Sequence, residues 1–363
     1  MSSDIGASVA RKVKIPFLMR ILLNLEALPL GRVIQIMGPQ ASLKSTFAAE
    51  IVRWHLCEGG RAAFFETEGK PAAFVYMCLI ETFGKEVVRI CRVKRMEKWM
   101  QEISKQIRKG EELLEQGVNL PPMVFVVDSV LGCNSMQTIS DVDERGYPSE
   151  RFASESRRIT DFLRSYSSRI ADLPLTLIMV NHVKLRPTGF TIQKATVGGV
   201  DLRYRATFEL ELKREKSTSY LGGPCENLLT ISVEKNSFGP DVTSISVPVI
   251  FDNRDRKIYF DWYSPLTRWL CDLRTDYVKP KPAPSVLEQI RGLFGISVRS
   301  GGPKGKLYYC ESIGIEKENA LPAHEFGKFL EENCQDKLAV LSEIIGIRTV
   351  DDIVSEESID FEH

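Results

Sequence analysis

MGPQASLKST, residues 37–46, is the stretch on which the reading of this chain turns. A phosphate-binding loop has the form G-x-x-x-x-G-K-[ST], and here Gly38 opens the pattern while Lys44 and Ser45 close it. Leu43 stands where the second glycine belongs. In such a loop consecutive backbone N–H groups face phosphate oxygens, and the helix that follows adds the positive end of its dipole. Lys44 would reach the β- and γ-phosphates and Ser45 would ligate Mg²⁺. The nucleotide-cradling candidates are therefore Gly38, Pro39, Gln40, Ala41, Ser42, Leu43, Lys44, Ser45 and Thr46. The second glycine normally permits an unusual backbone angle, so either Leu43 accepts that angle or the loop relaxes around it.

The flanking sequence places the loop where the mechanism needs it. GRVIQIMGP reads as a strand entering a turn, and KSTFAAEIVRWHLCEGG as a helix that stops at Gly59-Gly60. Downstream, MVFVVDSV is an apolar strand ending in Asp128, the arrangement in which a carboxylate at a strand tip supports Mg²⁺. FFETEGK supplies acids at the end of another strand, where a carboxylate can activate water. Glu66 and Glu68 share strand parity, and residue chemistry alone does not choose between them.

Further helical stretches (KPAAFVYMCLIETFG, MEKWMQEISKQIRKGEELLEQG, SERFASESRRITDFLRSYSSRIADL) alternate with strands EVVRICRV and LTLIMVNH. Such alternation predicts an α/β fold with a mainly parallel sheet flanked by helices. After Arg205 the pattern becomes consecutive strands, ATFELELKRE, NLLTISVEK, TSISVPVIFD and KIYFDWY, which predict an antiparallel extension. KPKPAP, Lys279–Pro284, reads as an extended linker to a small C-terminal α/β domain. The expected divisions are residues 1–29 as an N-terminal segment, 30–278 as the core, 279–284 as linker, 285–347 as the small domain and 348–363 as an acidic, mobile tail.

With 363 residues the chain is long enough for a real core. Lysine plus arginine and aspartate plus glutamate both number 48, so any nucleic-acid site must come from local segregation of charge. Eight cysteines without a C-x-x-C pair argue against a zinc site or disulfide framework and fit a reducing, cytoplasmic compartment. IPFLMRILLNLEALPL is apolar but broken by Pro16, Arg20, Asn24 and Glu26, so no membrane span is expected. His182 to Arg205 carries Lys184, Arg186, Lys194, Arg203 and Arg205 against Asp201 alone. Its prolines and glycines suggest a mobile loop, which either is an ordinary solvated loop or binds a nucleic-acid backbone.

Together these motifs resemble the RecA family of recombinases, in particular the phage branch typified by UvsX, from about Lys14 to Asp261. KIP at Lys14–Pro16 resembles the entry to the phage-type core, and GPQASLKS the family's Walker A loop, whose phage members also carry a bulky residue at the Leu43 position. The resemblance implies a RecA-like P-loop ATPase core that uses ATP and Mg²⁺. FFETE resembles the strand whose final acid activates water, which selects Glu68. IMVNH resembles the strand whose last residue senses the γ-phosphate and begins the second DNA-binding loop, which gives that role to His182. TVGGVDLRYRATFELEL resembles the segment closing that loop, implying DNA contact by Lys184, Arg186, Lys194, Gly198, Gly199 and Arg203.

The first DNA-binding loop would correspond to about Cys133–Pro148, where Asp141, Asp143 and Glu144 make it acidic. SVEKNSF resembles the strand that presents basic residues to ATP on a neighbouring subunit; Lys235 matches, while Ser237 replaces a second lysine. Tyr76 is the nearest candidate for stacking on adenine, one residue out of the family spacing, and otherwise reads as a core tyrosine. His55 and Trp54 read as packing residues. About a dozen residues precede KIP, so subunit docking is expected to be reduced or to use a short strand such as ASVARKV. The implied partners are single- and double-stranded DNA, further copies of the chain in a filament, and single-strand-binding and mediator proteins. The competing readings are a RecA-fold hexameric helicase or motor, and a non-hydrolysing DNA-binding mediator.

Overall fold

The computed structural model describes residues 12–68, 74–130, 132–136, 138–139, 151–188, 191–196, 199–220, 223–239, 243–252, 257–272, 278–279, 283–302 and 305–353. Two short strands, β1 (Lys12–Val13) and β2 (Leu28–Pro29), flank helix α1 (Phe17–Leu23) in sequence. The chain forms two compact units, one of residues 1–13 and 29–213, the other of residues 14–28 and 214–363. They part inside a strand, between Lys213 and Arg214, rather than at the proline-rich stretch expected as a linker.

The first unit alternates strands and helices: β3 (Val33–Gly38), α2 (Lys44–Cys57), β4 (Arg61–Glu66), α3 (Phe74–Phe83), β5 (Val88–Arg92), α4 (Met96–Glu115), β6 (Met123–Asp128), α5 (Arg151–Ala171), β7 (Leu175–Thr188), β8 (Thr191–Thr196), α6 (Gly199–Arg205) and the start of β9 (Phe208–Tyr220). The sheet order is β9-β3-β7-β6-β4-β5, and every one of these neighbours runs parallel. Parallel strands covered on both faces read as near-continuous apolar runs: MVFVVD is apolar up to its final Asp128, and VIQIMG is interrupted only by the buried Gln35. On one face α4 presents Met96, Trp99, Ile103 and Ile107, a helical stripe that packs with Val33, Phe125, Val127, Phe162, Leu177 and Met179. Helix α2 covers β3, β4, β6 and β7 on the other. His55 of α2 is fully buried between the Ile51 carbonyl and the Thr176 hydroxyl, and burial pushes its imidazole down to about 4, so it is a neutral packing residue.

The basic segment departs from expectation. Instead of a loop, β7 continues past His182 to Thr188 and pairs antiparallel with β8, from Val183↔Thr196 to Thr188↔Thr191. In VKLRPT apolar and polar residues alternate up to Pro187, the period of a strand, and the pairing with TIQKAT holds despite the prolines and glycines that suggested a loop. Positions 189–190 and 197–198, with the candidate Gly198, lie outside the described residues, as does most of the acidic stretch 133–148.

The second unit contains α1, the C-terminal part of β9, β10 (Gly223–Asn236), β11 (Ser244–Asp252), β12 (Lys257–Phe260), α7 (Tyr263–Asp272), β13 (Val278–Lys279), α8 (Pro284–Phe294), β14 (Ser297–Ser300), β15 (Lys306–Tyr309), β16 (Leu321–Pro322), α9 (Ala323–Asn333) and α10 (Gln335–Ile345). β10, β11 and β12 pair antiparallel, the extension expected. Lys279, expected in the linker, pairs with Ser244. Helix α9 lies against α7 so closely that a Cβ on Gly327 would sit 2.5 Å from the Tyr263 carbonyl oxygen. The expected tail is partly packed: Arg348 bridges to Leu25, and Val350 and Ile353 are buried in a last helical turn. Apolar side chains spaced one helical turn apart anchor what its acidic composition suggested would be free. Residues 354–363 lie outside the described residues.

Candidate phosphate and metal site

The candidate residues lie at the carboxyl ends of β3, β4 and β6 and where the parallel part of β7 ends at His182, the edge at which parallel α/β sheets bind ligands. Between Gly38 and Lys44 the chain turns sharply, with Ala41 at φ 61° and Leu43 at φ 65°. Two left-handed residues so close together curve the backbone as in anion-binding nests. Leu43 thus accepts the angle usually left to glycine, and its carbonyl receives the first helical N–H bond, from Phe47 at 2.9 Å. Gly38 is required for space, because a Cβ there would lie 2.5 Å from the Leu212 carbonyl oxygen and 2.6 Å from Ser42 Oγ. The ammonium of Lys44, largely buried, donates to the Pro39 carbonyl at 2.6 Å, the Gly38 carbonyl at 3.1 Å and Ser42 Oγ at 3.4 Å.

Ser45 Oγ donates to Asp128 Oδ2 at 2.6 Å. The same oxygen receives the Tyr76 hydroxyl at 2.5 Å. Tyr76 is fully buried, and its ring stacks on Phe64 with centroids 3.9 Å apart. Burial first, and then the neighbouring Asp128 charge, hold its phenol well above the usual range, so it is a protonated donor. A ring enclosed in this way cannot stack on adenine, which settles Tyr76 as a core residue with a polar task.

The two acids of FFETE part company where β4 ends. Glu66 is buried, accepts the Glu68 N–H at 2.9 Å and lies 3.7 Å from Arg92 Nε. Glu68 turns outward, a quarter exposed, with Oε1 3.1 Å from His182 Nε2 and accepting Ser129 Oγ at 3.1 Å. Thr67 ties the ends of β4 and β6 together, donating to the Ser129 carbonyl at 2.6 Å and accepting the Ser129 N–H at 2.8 Å. The sheet register sets His182 beside Gly38, the first loop residue. Asn181 is buried, and its Oδ1 accepts the His182 N–H at 2.8 Å.

The structure therefore brings Lys44, Ser45, Asp128, Glu68 and His182 to one end of one sheet. Asn181, beside His182 in IMVNH, belongs with them, as do Ser129, Thr67 and the hydroxyl of Tyr76, which were not singled out in the sequence. A lone phenol in the apolar helix FVYMCLIETF was the available signal for Tyr76. A serine hydroxyl touching a carboxylate is a hard oxygen pair of the kind that shares Mg²⁺ with phosphate oxygens and water. Among the described residues no cluster of three or more His, Cys, Asp or Glu forms a denser metal cage. The donors present thus fit Mg²⁺ held with a polyphosphate.

Lys184, Arg186 and Lys194 fall on the β7–β8 hairpin, with Lys194 across from Leu185. Gly199 opens α6. Arg203 is more than half exposed, but its Nε lies 3.2 Å from Glu209 Oε2, a nearly buried carboxylate, so one side of its guanidinium is already engaged. Lys235 lies one residue before the end of β10 in the second unit. Its neighbour Asn236 fixes that strand end by donating to the Leu23 carbonyl at 2.8 Å and accepting the Phe238 N–H at 3.0 Å.

Residues 15–254 match the family described as RecA N-terminal domain. Protein RecA of Leptospira biflexa is 23% identical over 239 residues, covering 64% of this chain and 56% of the relative. Protein RecA of Nautilia profundicola is 22% identical over 237 residues, covering 64% of this chain and 62% of the relative. Protein RecA of Treponema denticola is 24% identical over 238 residues, covering 63% and 52%. The chain spans less than two thirds of the length of these relatives. With well over half of its length matched to one family, and with the phosphate loop, Asp128 and Glu68 at the sheet end that the match covers, the chain belongs to the RecA N-terminal domain family.

Proposed function

We propose that this chain is a DNA-dependent ATPase that assembles on single-stranded DNA and promotes homologous pairing and strand exchange with duplex DNA, in an intracellular setting and closest to the phage UvsX-type branch. The observation that carries the reading is the path of β7. One strand runs from the sheet core, past Asn181 and His182 beside the phosphate loop, into the basic hairpin. A change in what His182 touches thereby reaches the segment carrying Lys184 and Arg186 along one continuous strand rather than through a loop.

In this reading the loop amides and Lys44 hold the β- and γ-phosphates, and Ser45 with Asp128 holds Mg²⁺, which would neutralise charge on the phosphates. Glu68 is the base that orients and deprotonates the attacking water. Ser129 and His182 hold the Glu68 carboxylate, and His182 exchanges that bond for one to the γ-phosphate when ATP arrives. Lys235 approaches the phosphates of a neighbouring copy and stabilises developing negative charge, as an arginine finger does. ATP then favours the DNA-binding arrangement because it binds that arrangement better.

Fluorescence anisotropy of a labelled single-stranded oligonucleotide, followed by a strand-exchange assay with homologous duplex, tests this. Tighter binding with ATP than with ADP, and exchanged product that Lys44→Ala abolishes, is the expected result. DNA binding indifferent to nucleotide, with no exchange, would leave a mediator instead. Unwinding or translocation without pairing would leave a motor.

A further inference from the structure

We propose that Tyr76 is a positioning residue for the metal: its hydroxyl fixes the Asp128 carboxylate so that Mg²⁺ binds productively beside Ser45. The inference rests on the ATPase reading of the site and adds a residue to it. Three observations carry it. Tyr76 has no exposed surface, so its polar atom is not at the site by accident of solvation. Its hydroxyl and that of Ser45 converge on one oxygen, Asp128 Oδ2, at 2.5 and 2.6 Å. The ring is clamped by Phe64, whose strand lies beside that of Asp128, with Phe64 opposite Val126 and Glu66 opposite Asp128. Two donors on one oxygen satisfy it and leave the other carboxylate oxygen to face the metal or its water. Ser45 has a single proton, which can stay on Asp128 while an oxygen lone pair serves Mg²⁺. Tyr76 supplies the second bond and stops the carboxylate from rotating. Partners that orient a ligand in this way are worth about 10–100-fold in metal affinity.

The test is Tyr76→Phe, which keeps the ring on Phe64 and removes only the hydroxyl, in the full-length protein. The probe is a fluorescent ATP analogue, with binding measured first without divalent ion and then across a Mg²⁺ titration. The expected result is unchanged affinity without Mg²⁺ and about a tenfold higher Mg²⁺ requirement, with Mn²⁺ binding read by electron paramagnetic resonance moving the same way. Asp128→Asn should move it further in that direction. Should the Phe variant fail to fold, Tyr76→Met, an adaptable filler that also lacks a donor, takes its place. A folded variant with the parent's Mg²⁺ requirement overturns the proposal and leaves the hydroxyl a structural bond. A parent protein that binds no nucleotide under any condition overturns the ATPase reading itself, a separate outcome.

Discussion

Leu43 offers a direct test of how the phosphate loop is held. The residue sits at φ 65° and ψ 25°, half-buried, where most such loops have glycine. Holding a side chain with a Cβ in the left-handed region costs about 1–2 kcal/mol. Leu43→Gly releases that strain, but gives up about 1 kcal/mol of partly buried leucine. It also adds about 0.5–1 kcal/mol of backbone entropy to be lost on folding. The terms nearly cancel, so the glycine variant should unfold within about 1 kcal/mol of the parent. Leu43→Ala keeps the strain and loses the side chain, which makes it about 1 kcal/mol less stable, or about 2–4 °C in Tm for a unit of this size. Leu43→Val should fall lowest, because a β-branched residue is the poorest occupant of positive φ. Thermal unfolding by calorimetry without nucleotide reads the order: parent and glycine together, then alanine, then valine. Valine matching the parent, or alanine exceeding glycine, would refute the claim that backbone strain at this position shapes the loop.

Glu331 accepts the Phe17 N–H at 2.8 Å and so caps α1 from far along the chain. Its replacement by Ala should cost about 1–2 kcal/mol and by Gln less, measured by denaturant unfolding. In the His324–Asp261 pair, 2.8 Å apart, the bond to Asp261 holds the His324 pKa above its usual value. Burial opposes ionisation of Asp261, but bonds from His324 and Ser264 outweigh it and hold its carboxyl below the usual range. The pair's stabilisation is therefore full between the ordinary values of 3.8 and 6.5, is lost as pH rises through the raised histidine pKa, and is lost again as pH falls through the lowered aspartate pKa. The histidine is half exposed, so the effect is at most ~0.5 kcal/mol, and His324→Gln should flatten the alkaline limb of a Tm–pH curve. Alanine at Lys184, Arg186 or Lys194 should each lower the log–log salt slope of single-strand binding by about 0.7. An unchanged slope would remove that residue from the DNA contact.

The parallel core was legible because its signals are local and repeated: apolar strands, helices at the right spacing, and acids and the phosphate loop at strand ends. The same locality explains what was missed. Tyr76 reaches Asp128 across 52 positions, and only packing shows that its hydroxyl, rather than its ring, matters to the site. Residue chemistry leaves Glu66 and Glu68 alike, and the end of β4 decides which is buried. The basic segment looked like a loop because Pro187, Gly189 and the double glycine outweighed its alternation. Yet two runs rich in Thr, Val and Ile separated by Gly-Phe also carry a hairpin signal. The division of the chain was obscured because the residues around α1 pack with the C-terminal half, a contact between distant parts that composition does not register.

In the proposed reading Glu68 and Lys44 turn over ATP in response to DNA. Steady-state phosphate release with and without single-stranded DNA, in the parent, Glu68→Gln and Lys44→Ala, tests it most directly. Strong stimulation by DNA is expected in the parent. Glu68→Gln should lose about 100-fold or more of the turnover with nucleotide binding retained. In Lys44→Ala both turnover and nucleotide affinity should fall. Turnover in Glu68→Gln equal to the parent's, or no stimulation by DNA in the parent, would contradict it.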